Sequence, residues 1–169
     1  MGINSKKKGN RNERYGAKLW EKWSGWQFSR VPASGGLRWK KTDDITGDII
    51  CTEKGIYDFK FSIELKFHKE IEFNYLLLNL KKDSVTSFWT QCKRDAERGG
   101  KIPILFMRYN GIPKDYYFVV INYDTYLKIK KLVKFKLGIM KVIKPDDRFI
   151  IFNSNDLFDS DFHKVYQSL

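Results

Sequence analysis

FKFSIELKF, residues 59 to 67, alternates apolar and polar side chains without a break, the pattern of a β-strand with one face in a packed core. Ile63, Leu65 and Phe67 fall on the apolar face. Glu64 and Lys66 share the other, about 7 Å apart. Two unlike charges on an otherwise buried strand suit the wall of a cleft. Upstream, DIICTE (48–53) reads as a second strand, joined to the first through the turn-like KGIYD (54–58). Antiparallel pairing through that turn brings Asp48 toward Glu64. Two carboxylates, the backbone carbonyl of Leu65 and waters suit Mg²⁺, a hard cation that keeps part of its hydration shell. Lys66 is then placed to orient an attacking water and to offset charge on a phosphodiester. The plain rival is an edge strand whose Glu64 and Lys66 merely face solvent.

Further out, Asn10-Arg11-Asn12-Glu13 fits a helix start, with Asn10 as N-cap and Glu13 closing a capping box. The helix then runs to about Trp23. Gly16, Ala17, Trp20 and Trp23 form its apolar stripe, and Glu13 falls on the same inward side. WQFSRV (26–31) reads as a strand, and PASGGLRWKKTDDITG as an exposed loop. Downstream, YLLLNLKKDS (75–84) is ambiguous. Val85, Phe88, Trp89, Cys92 and Ala96 mark a helix closed by Gly99-Gly100. IPILFMRY (102–109) and YYFVVINY (116–123) read as strands joined by a hairpin loop. Asp124 or Thr125 caps a short helix through Val133, while IMKVI and RFIIFN give weaker strand signals. Strands interrupted by helices indicate an α/β fold with a mixed central β-sheet flanked by helices, here expected as one domain over residues 1–169.

The chain carries a formal net charge of +12, which favours a polyanionic partner. Residues 1–41 hold eleven basic side chains against two acidic ones, nine of those twelve charges. Lys6, Lys7, Lys8 and Arg11, with Arg14, Arg30, Arg38, Lys40 and Lys41, are the expected phosphate contacts; residues 1–9 by themselves read as a basic tail that needs no fixed structure. No signal peptide and no run of about 18 apolar residues occur, so a cytoplasmic protein with no membrane partner is expected. Cys51 and Cys92 belong to no zinc-binding pattern, and both are expected to be buried thiols. His68 and His163 are isolated, which argues against a Ser-His-Asp triad. Hydrolytic chemistry here must rest on carboxylates, lysine and a metal.

Taken in order, GNRNERYGAKLW, FSRVPASGG, TGDII and IELK resemble the archaeal-type Holliday junction resolvases of the PD-(D/E)xK nuclease superfamily. The resemblance runs from about Gly9 to Lys66 and extends more weakly to Tyr109. It implies a restriction-endonuclease-like fold, a metal-dependent endonuclease acting on DNA four-way junctions, and a homodimer, with Mn²⁺ a substitute for Mg²⁺. By position it makes Glu13 the helix carboxylate of the metal site, Asp48 and Glu64 the metal ligands, Lys66 the catalytic lysine and Ser34 a loop residue near the scissile phosphate. It also places Gln91 in the following helix as a support of the site or a DNA contact. Two departures stand out: a longer loop between Ser34 and Asp48, and Gly47 where the proline that names the superfamily would be. Asp43 and Asp44 are rival ligands in that loop, Asp44 being the fallback for Asp48. Other readings remain open at this level: a RecB-like or repair nuclease acting on ends or flaps, or a non-catalytic nucleic-acid-binding protein.

Overall fold

The alternating stretch becomes an interior strand, paired on both edges, of a seven-stranded sheet. The computed structural model describes residues 3–31, 45–80 and 83–169, with side chains from Lys7 onward. In chain order the elements are α1 (Ile3–Ser24), β1 (Phe28–Arg30), β2 (Ile49–Cys51), β3 (Phe61–His68), α2 (Phe73–Leu77), α3 (Ser84–Arg98), β4 (Ile102–Tyr109), β5 (Phe118–Asn122), α4 (Tyr123–Ile129), β6 (Gly138–Lys144), β7 (Asp147–Asn153), α5 (Ser154–Phe158) and α6 (Phe162–Gln167). The strand order is β1-β2-β3-β4-β5-β7-β6. Only β3 and β4 run parallel, and the connection between them carries α2 and α3; every other pairing is antiparallel. This is the expected mixed sheet flanked by helices.

Period-two alternation assigns each side chain to a face. On one, Ile63 and Leu65 of β3 join Ile104 and Phe106 of β4 and Ile150 and Phe152 of β7, covered by Ala17 and Trp20 of α1 and by Ile129, Leu157 and Phe162 of the later helices. On the other, Leu105, Met107, Val120 and Phe149 meet Leu76 of α2 and Val85, Trp89 and Cys92 of α3. Trp20 is almost fully buried, within 5.3–5.9 Å of the rings of Trp23, Phe28, Phe59, Phe61 and Phe106. Trp20 is thus core, and Trp23 and Trp26 pack against the same cluster.

Several local expectations change. α1 begins at Ile3, so the basic segment from residue 3 is helical, Asn10 caps nothing and Glu13 lies mid-helix. Lysines are good helix formers, and Lys8 ties the early turns to the sheet by packing over the Phe67 ring (4.2 Å) and donating to Asn110 Oδ1 (2.5 Å). α4 is capped by Asn122, whose side chain accepts from Thr125 N–H, and it ends at Ile129. Cys51 is half-buried, while Cys92 is buried as expected; both are free thiols. The leucine-rich segment yields the short α2 and leaves Leu77, Leu78 and Leu80 exposed. Among the described residues, no helix is long and apolar enough to cross a membrane.

Candidate active site

Asp48 is held by three hydrogen bonds, two to β3 and one to Val31, just after β1. Ile49 pairs with Ile63, so one residue earlier Asp48 comes opposite Glu64. Its N–H donates to the Ile63 carbonyl (2.7 Å), its own carbonyl accepts from Val31 N–H (2.9 Å), and Oδ2 accepts from Leu65 N–H (2.8 Å). The main chain of Gly47 makes this approach possible. Its φ is +83°, and a Cβ there would stand 2.4 Å from the Ile63 carbonyl oxygen and 2.8 Å from the Ile63 nitrogen. Proline, fixed near −65°, cannot take that conformation, which accounts for the departure at this position.

Glu64 and Lys66 point to the α3 side of the sheet. Glu64 is only 6% exposed, and its Oε1 lies 2.6 Å from Lys66 Nζ, which also donates to Gln91 Oε1 on α3 at 3.2 Å. An interior strand with a buried carboxylate rules out the solvent-facing edge strand as the explanation of this pair. Burial pushes the Asp48 carboxyl up to about 7, with the negative charge of Glu64 adding to the rise; the Leu65 N–H opposes it, Glu13 adds a smaller push and Lys66 a smaller pull. Burial and the repulsion between two carboxylates both favour the protonated acid, which is the direction seen at Asp48.

Glu13 stands apart from that pair. It reaches from α1 to β1, where Arg30 Nε holds its Oε2 at 2.5 Å. Arg30 is therefore committed to Glu13, and among the described residues no three His, Cys, Asp or Glu side chains close on one point. The donor set still fits a hard divalent ion: Asp48 and Glu64 supply adjacent carboxylates, and their mutual repulsion is what such an ion relieves. Lys7, Arg11 and Arg14 are exposed on α1. His68 is exposed and packs on Phe88, with ring centroids 4.7 Å apart. Ser34, Arg38, Trp39, Lys40, Lys41, Asp43 and Asp44, and the side chain of Lys6, lie outside the described residues.

Sequence reading passed over Arg108, a buried arginine at the end of β4. The signal was available: two residues beyond Phe106 and four beyond Ile104, it had to share their core-facing side.

A mixed sheet that presents Asp48 at the start of β2 opposite an interior Glu-x-Lys strand, with helices on both faces, is the restriction-endonuclease-like arrangement of the PD-(D/E)xK nuclease superfamily. The chain belongs to the family described as "phage putative PDDEXK endonuclease", which matches residues 4–161. It is also similar to Protein D14 of Escherichia phage T5, with 26% identity over 108 residues, covering 64% of this chain and 66% of that protein. The match thus spans just under two thirds of that relative's length. No solved structure matches. The superfamily that the motifs resemble is reached through a phage family, without the archaeal resolvases.

Proposed function

We propose that this protein is a divalent-metal-dependent DNA endonuclease of structure-specific type, a resolvase of four-way junctions that works as a homodimer. The observation that carries the nuclease reading is Asp48 fixed opposite a buried Glu64, with Lys66 on the face of Glu64. Asp48, Glu64 and the Leu65 carbonyl would hold Mg²⁺ or Mn²⁺, and Glu13 is the reserve carboxylate on α1. Such an ion supplies charge to offset the developing negative charge of the phosphodiester and a water acidic enough to attack near neutral pH. Lys66, steadied by Glu64 and Gln91, carries its ammonium beside the carboxylate pair, where it would help bind and neutralise the scissile phosphate. Ser34 remains the proposed loop contact.

The junction preference rests on the order of the motifs and on a surplus of backbone-binding charge, which reads position and shape more than base sequence. For the dimer, the β5 part of YYFVVINY and the FIIF of β7 are largely taken up by the sheet interior, although Tyr116 is exposed. β6 is the better surface: it is the outer strand, with Leu137, Met140, Val142 and Ile143 exposed beside or along it. A non-catalytic nucleic-acid-binding protein is the competing reading, favoured by the ion pairs that already engage Glu13 and Glu64.

A cleavage assay on a panel of four-way junctions, flaps, ends and plain duplexes, with Mg²⁺, Mn²⁺ or EDTA, tests these readings. Paired nicks in junctions that vanish in EDTA are expected. Metal-dependent cutting of ends or flaps alone would replace the resolvase with a RecB-like or repair nuclease; binding with no cutting under any metal would leave the non-catalytic reading.

A further inference from the structure

Four cationic side chains converge on a cavity of about 360 Å³ on the far flank of α1 from Arg30. Lys8 and Arg11 of α1 contribute to it, with Phe67 at the end of β3, Arg108 at the end of β4, and Lys114 from the loop that follows. Among the described residues, no carboxylate lies within ion-pair distance of any of the four. Lys8 and Arg108 pack on the same Phe67 ring, at 4.2 and 4.8 Å from its centre. Two like charges held over one ring repel each other unless an anion lies between or beside them.

Arg108 makes the case specific. It is 8% exposed, a cation placed where an unpaired charge is costly. Nη1 donates to the Lys114 carbonyl (3.2 Å) and Nη2 to the carbonyls of Ile112 (3.0 Å) and Pro113 (3.5 Å). Those bonds brace the β4–β5 loop and account for part of the side chain. They neutralise no charge, and although the guanidinium also lies 5.5 Å from the Tyr117 ring centre, its buried Nε–H has no hydrogen-bond partner of good geometry among the described residues. Bracing a loop explains neither the free donor nor the gathering of Lys8, Arg11 and Lys114 around it. An anion with several acceptor oxygens answers both.

We infer that this cavity is a subsite for a backbone phosphate of the nucleic acid, separate from the carboxylate pair at Asp48 and Glu64. The inference rests on the nuclease reading for its ligand. Asn12 lines the cavity and its neighbour Glu13 turns to the opposite flank, since successive helix residues point about 100° apart. A phosphate held in the cavity would anchor the nucleic-acid backbone on the α1 side of the sheet, the face opposite the one to which Glu64 and Lys66 point.

The test is binding of the full-length protein to a labelled duplex in EDTA, as a function of salt. Each phosphate contact contributes about −0.9 to the slope of log K against log salt. Arg11→Ala/Lys114→Ala, both exposed positions, should flatten that slope by up to about 0.9, the share of one phosphate, whereas Lys130→Ala/Lys131→Ala, an equal loss of charge elsewhere, should leave it unchanged. Arg108→Gln should also flatten it, with a melting curve to confirm that the variant is folded; if it is not, the exposed pair decides. Equal slopes for wild type and the Arg11/Lys114 pair would overturn the subsite, as would an equal effect of the Lys130/Lys131 pair. Because binding is read without metal, absence of cutting with Mg²⁺ in the wild type would count against the nuclease reading alone.

Discussion

Asp48→Ala and Glu64→Ala should each abolish metal-dependent cutting while DNA binding persists, because the exposed basic side chains lie elsewhere. Retained cleavage by purified Glu64→Ala protein would remove it from the site. Lys66→Ala should lower kcat by about 10²–10³, the usual cost of losing one preorganised charge-stabilising group. Asp48 also gives the metal-free protein a pH dependence of definite sign. Its carboxyl titrates near 7 in the fold against an ordinary 3.8, so the folded state holds the proton more tightly. The stability this confers is complete below about pH 4 and is lost as pH rises through 7. Mn²⁺ held by Asp48 would compete with the same proton, so on the proposed reading it should raise the melting temperature more at pH 8 than at pH 5.5, and Asp48→Asn should flatten the metal-free profile; equal metal effects at both pH values would refute this. Glu64, Lys66 and Asp48 were legible because a two-residue period and one short turn fix their relations. Arg30 as the partner of Glu13 was not, because it depends on how a helix lies across a strand 17 residues away.

Elements add constraints that no single side chain shows. At Gly47 the main chains of the β2 approach and β3 meet so closely that Gly47→Ala should cost about 2–4 kcal/mol, from backbone strain plus steric clash, and should reduce cutting by displacing Asp48. Gly16→Ala meets Leu65 Cδ2 at 2.4 Å and Ile49 Cδ1 at 3.0 Å. Those atoms are side chains that can yield, so about 1–3 kcal/mol is expected; chemical denaturation measures both. Deleting residues 2–8 should flatten the salt dependence of DNA binding, since it removes three lysines from the first turns of α1. An unchanged slope would make that segment irrelevant to DNA. The start of α1 was misread because the Asn10–Glu13 capping box is a local signal, and the anchoring of Lys8 to Phe67 and Asn110 is a long-range one.

For the whole molecule, the proposed dimer predicts that Met140→Lys/Val142→Lys, on the outer strand, halves the mass measured by light scattering and abolishes paired nicking while single nicks remain. A wild-type monomer at working concentration would dispose of the dimer. IMKVI and RFIIFN gave only weak strand signals in the sequence; which of the strands lies outermost depends on the sheet order, and no local pattern encodes it. The C-terminal helix α6 has a different consequence, one of timing. Trp23 Nε1 donates to the Ser160 carbonyl (2.9 Å), Trp23 and Trp26 pack edge-on against Phe162, and Tyr166 accepts from Lys60 N–H just before β3. Residues 160–169 thus add a brace to a helix already seated on the sheet through Ala17 and Trp20, and they are synthesised about a hundred residues after Glu64. These last contacts of α1 therefore form only after every strand of the described sheet has been synthesised.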